Sequence, residues 1–184
     1  MKKFEFTDEF ITDTFGNNLF RIKALVDFGT IRAGELGGFA EKEENLSNND
    51  NAWVYGDAQV SGNAQVSDNA WVYGDAQVSG NAQVSGDARV SGDAWVSGNA
   101  WVSGNADFAV VEGFGRQFRA TTFFRCKDKI LRVQCGCFYG DLAQFREIVK
   151  KTHGDSKYAK EYLAIADLME LHFSDEEGRQ EVTE

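Results

Sequence analysis

From Asn51 to Ala106 the chain repeats every six residues without a break: NAWVYG, DAQVSG, NAQVSD, NAWVYG, DAQVSG, NAQVSG, DARVSG, DAWVSG, NAWVSG, NA. A short, strict period lets each unit pack only on its neighbours, so the segment has to stack along one axis. Six residues is the period of a parallel β-helix. Proline is absent from the whole chain, so every corner rests on Gly, Asn or Asp, the residues that tolerate positive φ.

Valine occupies nine equivalent positions from Val54 to Val102, and alanine follows each valine four residues later, from Ala58 to Ala106. An aliphatic residue followed by a small one in this phase resembles the hexapeptide signature of left-handed β-helices. That resemblance implies three hexapeptides per triangular coil, with valine inside and the small residue at the tight corner. The expected fold is therefore mainly β: a left-handed parallel β-helix of about three coils over 51–106. An N-terminal β cap over 1–50 precedes it, and a C-terminal α+β (ββαα) unit over 107–184 follows. Adjacent coils stack at about 4.8 Å. The open ends of such a rod present unpaired edges, so the flanks are expected to cap them. Oligomerisation is the other remedy, and a homodimer or homotrimer is expected.

Three hexapeptides per coil put residues eighteen apart in one column. Trp53, Trp71 and Arg89 share a column, with Tyr55, Tyr73 and Ser91 beside it; the others are Gln59, Gln77, Trp95 and Gln65, Gln83, Trp101. Each Trp or Tyr flanks an inward valine, so each is predicted to point outward. Exposed aromatic clusters mark contact surfaces. Two readings stand: the chain's own caps or a sister subunit cover the patch, or a foreign partner does. The candidate partner-binding residues are Trp53, Tyr55, Trp71, Tyr73, Trp95 and Trp101.

The net charge is −10, and the repeat carries five aspartates against one arginine. This disfavours direct nucleic-acid binding and is thin for DNA mimicry. Met1-Lys2-Lys3 is basic, but Glu5 and Asp8 follow and no apolar leader forms. No apolar run is long enough to span a membrane. Three cysteines, an odd number, read as reduced cytosolic thiols.

In the N-terminal flank, Phe10–Phe15 and Leu19–Ala24 around Gly16-Asn17-Asn18 read as a hairpin. In the C-terminal flank, 116–126 and 130–138 alternate as two strands around a Lys127-Asp128-Lys129 turn. Phe118, Ala120, Thr122 and Phe124, with Leu131, Val133, Cys135 and Cys137, are predicted to face inward. Helices are predicted from Asp141, an N-cap, to about Thr152 before Gly154, and from about Ser156 to Phe173. The acidic tail from Ser174 is expected to fray.

Little in the chain points to catalysis. Hexapeptide-repeat acyltransferases use a histidine base and the related carbonic anhydrases bind zinc through coil histidines, but the repeat has none; the two histidines are His153 and His172. No Ser/His/Asp arrangement, P-loop or dinucleotide fingerprint appears, and no cofactor is expected. Cys126, Cys135, Cys137 and His153 have the ligand types of a zinc site, against which stands the reading as buried core thiols. Arg119, Arg125, Lys127, Lys129 and Arg132, with Arg116, form a basic cluster. On an outward hairpin face such a cluster suits a phosphate, a nucleotide or an acidic partner surface; the alternative is a solvated face.

Both flanks add a resemblance. FRIKALVDFGTIRAGELGGFAEKEENLS before the repeat and TTFFRCKDKILRVQCGCFYGDLAQFREIVKKTHGDSKYAKEYLAIADLMELH after it resemble a family of phage and prophage hexapeptide-repeat proteins. The resemblance implies the cytoplasm of a bacterial host as setting and supplies no catalytic residue. It implies a non-enzymatic protein that binds and inhibits a host protein or complex, as counter-defence proteins do. The alternatives are sequestration of a small nucleotide signal and a structural virion or assembly role.

Overall fold

A computed structural model describes residues 2–174 of the chain. The N-terminal segment forms β1 (Phe4–Thr12), β2 (Asn18–Ala24) and β3 (Leu36–Ala40), and β1 pairs with β2 and β2 with β3 antiparallel. The hairpin is longer than its sequence suggests. Its turn lies at 13–17, where the Asp13 carboxylate accepts from the backbone N–H groups of Phe15 and Asn17. Hydrogen bonding of this kind lets an aspartate set a turn by itself.

Each hexapeptide then contributes one two-residue strand. In order these are β4 (Trp53–Val54), β5 (Gln59–Val60), β6 (Gln65–Val66), β7 (Trp71–Val72), β8 (Gln77–Val78), β9 (Gln83–Val84), β10 (Arg89–Val90), β11 (Trp95–Val96) and β12 (Trp101–Val102). They stack in parallel on three faces, ordered β4-β7-β10, β5-β8-β11 and β6-β9-β12. Every register step is eighteen residues, as Trp53↔Trp71 and Gln83↔Trp101 show. The result is a parallel β-solenoid with all nine valines and the repeat alanines from Ala52 to Ala100 buried along the axis.

The solenoid begins before the regular repeat. β3 adds a fourth strand to one face, with Phe39 paired to Gln59 and Ala40 to Val60, and Leu46 bridges to Val66 on another. Residues 36–50 thus make a degenerate first coil, for about four turns in all. At the corners the left-handed residue is Gly, except at Asp68 (φ 60°). There the carboxylate offsets the strain by accepting from the Gly86 N–H at 3.0 Å.

Both ends of the rod are closed by side chains that stand in wherever a stacked backbone partner is lacking. Within the rod the Ala70, Gly80 and Ala82 carbonyls accept from N–H groups of the coil before. The equivalent carbonyls of the first regular coil accept from side chains instead. Lys3 Nζ donates to Ala52 O at 2.9 Å, and Asn45 Nδ2 donates to Gly62 O at 3.1 Å and Ala64 O at 2.8 Å. At the far end the orphans are N–H groups, and acceptors meet them. Arg89 N donates to Asn105 Oδ1 at 2.9 Å, Trp95 N to Thr122 Oγ1 at 3.0 Å and Ser103 N to Asp107 Oδ2 at 2.9 Å. An unpaired strand edge is both a desolvation cost and an aggregation template, and here each end is capped with groups of the complementary kind.

The C-terminal unit is a four-stranded antiparallel sheet of β13 (Phe108–Val111), β14 (Thr121–Arg125), β15 (Leu131–Cys135) and β16 (Phe138–Asp141), followed by α1 (Leu142–His153) and α2 (Lys157–His172). The predicted strand pair and helix pair are present, with β13 and β16 as additional strands. The Lys127-Asp128-Lys129 turn closes as read, with Lys129 left-handed at φ 63°. Asp141 and Ser156 cap the two helices through Gln144 N and Ala159 N. The acidic tail beyond Ser174 lies outside the described residues.

Two readings of this unit need correction. The strand predicted from Arg116 starts only at Thr121, and Phe118 is a left-handed, exposed residue. The faces also divide differently. Pairing of Phe124 with Arg132 and Phe123 with Val133 puts Phe124 and Val133 on opposite sides. Phe124 packs into the solenoid core, whereas Phe123 and Val133 pack under the helices with Phe145. The sheet is covered on both faces, so apolar residues of both parities are buried and alternation alone cannot assign a side.

Candidate functional site

The predicted columns exist, but they are not equally open. On the β4-β7-β10 face the aromatic stripe runs from Phe28 over Trp53 (centroids 5.3 Å apart) to Tyr55 against Trp71 (5.3 Å), and ends with the Arg89 guanidinium 5.5 Å from the Trp71 ring. Trp53 points out of its coil as expected, yet it is fully buried. The N-terminal cap covers it, with Phe28 on its ring and Gly37 so close that a Cβ there would lie 2.8 Å from the indole. Trp53 is therefore a cap anchor and is removed from the exposed candidates. Tyr55 and Trp71 are half-buried, and Tyr73 is 37% exposed.

Trp95 sits on a second face, in register with Gln77. The tip of the N-terminal hairpin, Thr12 to Phe15, overhangs this column and encloses a cleft of about 170 Å³ with Gln59, Gln77 and Trp95. Trp101 on the third face is 49% exposed. The six aromatic candidates thus lie on three faces; Trp71 and Tyr73 form the open part of one stripe.

The basic cluster is not one surface. Arg125 pairs with Leu131 and faces the helices, where it donates to the Phe173 carbonyl at 2.9 Å. Arg132 pairs with Phe124 on the solenoid side and donates to Asp128 at 2.8 Å. Arg119 is exposed in the segment before β14, with Nη1 beside Gly136. Lys127 and Lys129 stand in the exposed turn. Arg119, Arg125 and Arg132 therefore do not converge on one phosphate-sized pocket. The reason is the register: residues taken as one outward face lie on two faces, both covered.

The cysteines are also dispersed. Cys126 is buried at the solenoid end, Cys135 accepts from the Thr121 hydroxyl at 3.2 Å on the helix side, and Cys137 is exposed in the β15–β16 turn, not inward as read. Burial pushes the Cys126 thiol up, away from the thiolate that nucleophiles and metal ligands require. Burial, then Cys135, pushes the Tyr162 phenol up to about 12. His153 packs on Tyr162 (5.8 Å). Among the described residues no three His, Cys, Asp or Glu side chains are grouped to hold a metal ion.

Sequence reasoning missed Lys3, which is buried beside Asp50. Burial lowers its pKa, opposed by the Asp50 charge and hydrogen bond. It also missed a groove of about 500 Å³ lined by Asn81, Gln83, Asn99, Ala100, Lys127 and Asp128. The eighteen-residue spacing of Asn63, Asn81 and Asn99 was the available signal.

No described helix is long and apolar enough to cross a membrane. No curated protein matches the sequence. Three stretches of the rod, residues 58–74, 64–80 and 82–98, match the YdcK β-solenoid repeat, which makes this a β-solenoid repeat protein over those coils.

Proposed function

We propose that this chain is a non-enzymatic interaction protein that binds a macromolecular partner through the open half of its aromatic stripe. The observation that carries the reading is the difference along one face: the cap seals Trp53, while Trp71 and Arg89 in the same column and Tyr73 beside them stay accessible. Trp, Tyr and Arg are the residues most enriched at binding hot spots. The stacked strands beneath hold them in place, which lowers the ordering cost of binding. The resemblance to phage and prophage proteins favours a protein or complex of the bacterial host cytoplasm as the partner, and inhibition of a host defence complex as the consequence.

The test is copurification of host proteins from bacterial lysate with the wild-type chain and with Trp71→Ala/Tyr73→Ala. A host protein retained by the wild type and lost by the variant supports the reading. Self-association through the same face is the competing occupant, and sedimentation of both proteins separates it. If the wild type is a dimer or trimer and the variant a monomer, the stripe is a subunit interface instead. Nucleotide sequestration has no comparable support, since its three arginines do not meet.

A further inference from the structure

Each corner of the rod carries a column of Asn or Asp, and one column differs from the other two. Asp57, Asp75 and Asp93 make an all-carboxylate column. On a second corner Asn51 Nδ2 donates to Asn69 Oδ1 at 3.0 Å and Asn69 Nδ2 to Asp87 Oδ1 at 3.2 Å, so that amide ladder runs into a carboxylate. The third corner is Asn63, Asn81 and Asn99, with no carboxylate in the column. Here Lys42 Nζ donates to Asn63 Oδ1 at 2.8 Å, Asn63 Nδ2 to Asn81 Oδ1 at 3.2 Å, and Asn81 Nδ2 to Asn99 Oδ1 at 3.3 Å. An ammonium can only donate, so Lys42 sets the orientation of Asn63 and, through it, of each amide that follows. This ladder therefore ends on a donor. Among the described residues no protein group accepts from Asn99 Nδ2.

Asn81 and Asn99 line the groove of about 500 Å³ together with Gln83, Ala100, Lys127 and Asp128. The Lys127 N–H is held on the Asn99 carbonyl at 3.3 Å, which brings the Lys127-Asp128-Lys129 turn to this corner. The one carboxylate in the lining is already engaged through both oxygens. Asp128 Oδ1 accepts from Ile130 N at 3.0 Å, and Oδ2 accepts from Arg132 Nη2 at 2.8 Å. Lys127 has no ion-pair partner among the described residues. The groove thus holds one uncompensated cation, several amide groups and no free carboxylate.

We propose that this groove binds the oxyanion of a small molecule, a phosphate monoester or a carboxylate, between the Lys127 ammonium and the Asn99 amide. A cation beside neutral N–H donors is the donor set an oxyanion takes, and hydrogen bonds to an ionised acceptor are about twice as strong as neutral ones. The ladder adds to this. It starts at a cation and every amide points the same way, so each bond polarises the next and Asn99 Nδ2 is the donor at its end. The net charge of −10 does not oppose the site. The carboxylate columns stand on the other two corners, and at physiological salt charges are screened over about 8 Å. The volume of about 500 Å³ lies in the range of small-molecule sites and leaves room for the body of the ligand beside Gln83. The site uses none of Arg119, Arg125 and Arg132. It is on a different face from Trp71 and Tyr73 and does not rest on the reading of that stripe.

The experiment titrates the full chain with inorganic phosphate, a nucleoside monophosphate, a sugar phosphate and a dicarboxylate at millimolar concentration. The side-chain amide signals of Asn81, Gln83 and Asn99 are followed by NMR. Three variants accompany the wild type. Lys127→Gln removes the cation. Asn99→Asp keeps the oxygen that accepts from Asn81 and replaces the free donor with a carboxylate oxygen. Lys129→Gln removes a neighbouring charge that does not line the groove. All three positions are exposed, so each variant is expected to unfold at the wild-type temperature. The proposal predicts saturable binding of at least one probe that shifts the Asn99 amide. Lys127→Gln and Asn99→Asp should each weaken it about tenfold or more, the worth of a hydrogen bond to a charged group, and Lys129→Gln should leave it nearly unchanged. A phosphate ester or a carboxylate as the tightest probe supports the proposal and names the source of the oxyanion. The proposal is overturned if no probe binds, if binding survives both groove substitutions, or if Lys129→Gln weakens it as much as Lys127→Gln.

Discussion

Trp53 and Trp71 are direct partners across neighbouring strands, yet Trp53 is fully buried while Trp71 keeps part of its indole in solvent. The same residue type at the same repeat position therefore does two jobs. One anchors the N-terminal cap; the other remains for contact. Trp53→Ala should cost about 3–5 kcal/mol, the usual loss for a buried Trp, while Trp71→Ala should cost clearly less. Because Trp53 Nε1 is buried with no acceptor among the described residues, Trp53→Phe should be far milder than Trp53→Ala. Urea unfolding of the three variants checks the order.

The N-terminal end depends on a buried cation. Lys3 Nζ serves the Ala52 and Asp50 carbonyls and lies 3.5 Å from the Asp50 carboxylate. Removing one partner of a buried pair typically costs about 3–5 kcal/mol, so Lys3→Ala should destabilise by an amount of that order. The pH dependence has a defined sign. Burial works to raise the Asp50 pKa, but hydrogen bonds from Ser47, Asp68 and Ala52, with the Lys3 charge, outweigh it and leave it below 3.8. Its stabilisation is thus complete above 3.8 and is lost as the pH falls through the folded value. Lys3, lowered by burial from 10.5, binds its proton less well folded than unfolded, so its contribution becomes more favourable as the pH rises toward 10.5. Acid unfolding of Asp50→Asn should therefore lack part of the wild-type drop below pH 3.8.

At the other end Thr122 replaces a missing strand. Its hydroxyl is buried and accepts from Trp95 N at 3.0 Å. Thr122→Val keeps the shape and leaves that N–H unsatisfied, so it should cost about 1–3 kcal/mol. A Thr→Val change on an exposed strand would cost much less. Chemical denaturation reads the difference, and no loss in Thr122→Val would show that the cap does not depend on this bond.

Asp68 is the one non-glycine residue among the left-handed corners from Gly56 to Gly98. Asp68→Ala loses the Gly86 hydrogen bond and keeps the strain, whereas Asp68→Gly loses the bond and relieves the strain. The glycine variant should be the more stable of the two by about 1–2 kcal/mol, measurable as a difference in denaturation midpoint.

The middle of the molecule was legible because it is periodic. Column membership followed from counting, and the Lys127–Lys129 turn and the Asp141 cap carry local chemical signatures. The ends were not legible, because end-capping contacts join residues with no shared period. Nothing local marks Lys3 as buried; its partners lie more than forty residues away. The first coil escaped notice because Ala40 and Leu46 take the valine positions without the surrounding hexapeptide. The two-sided burial of β14 and β15 hid their register, and that error assembled Arg125 and Arg132 into a site they do not form. Of the aromatic candidates, orientation was readable and coverage was not.

The most direct test of the account is a quantitative comparison of what copurifies with the wild-type chain and with Trp71→Ala/Tyr73→Ala, both first shown to be equally folded. The account predicts one host protein in near-stoichiometric amount with the wild type and its loss from the variant. Equal recovery of the same protein by both chains, or no enriched protein with either, would contradict it.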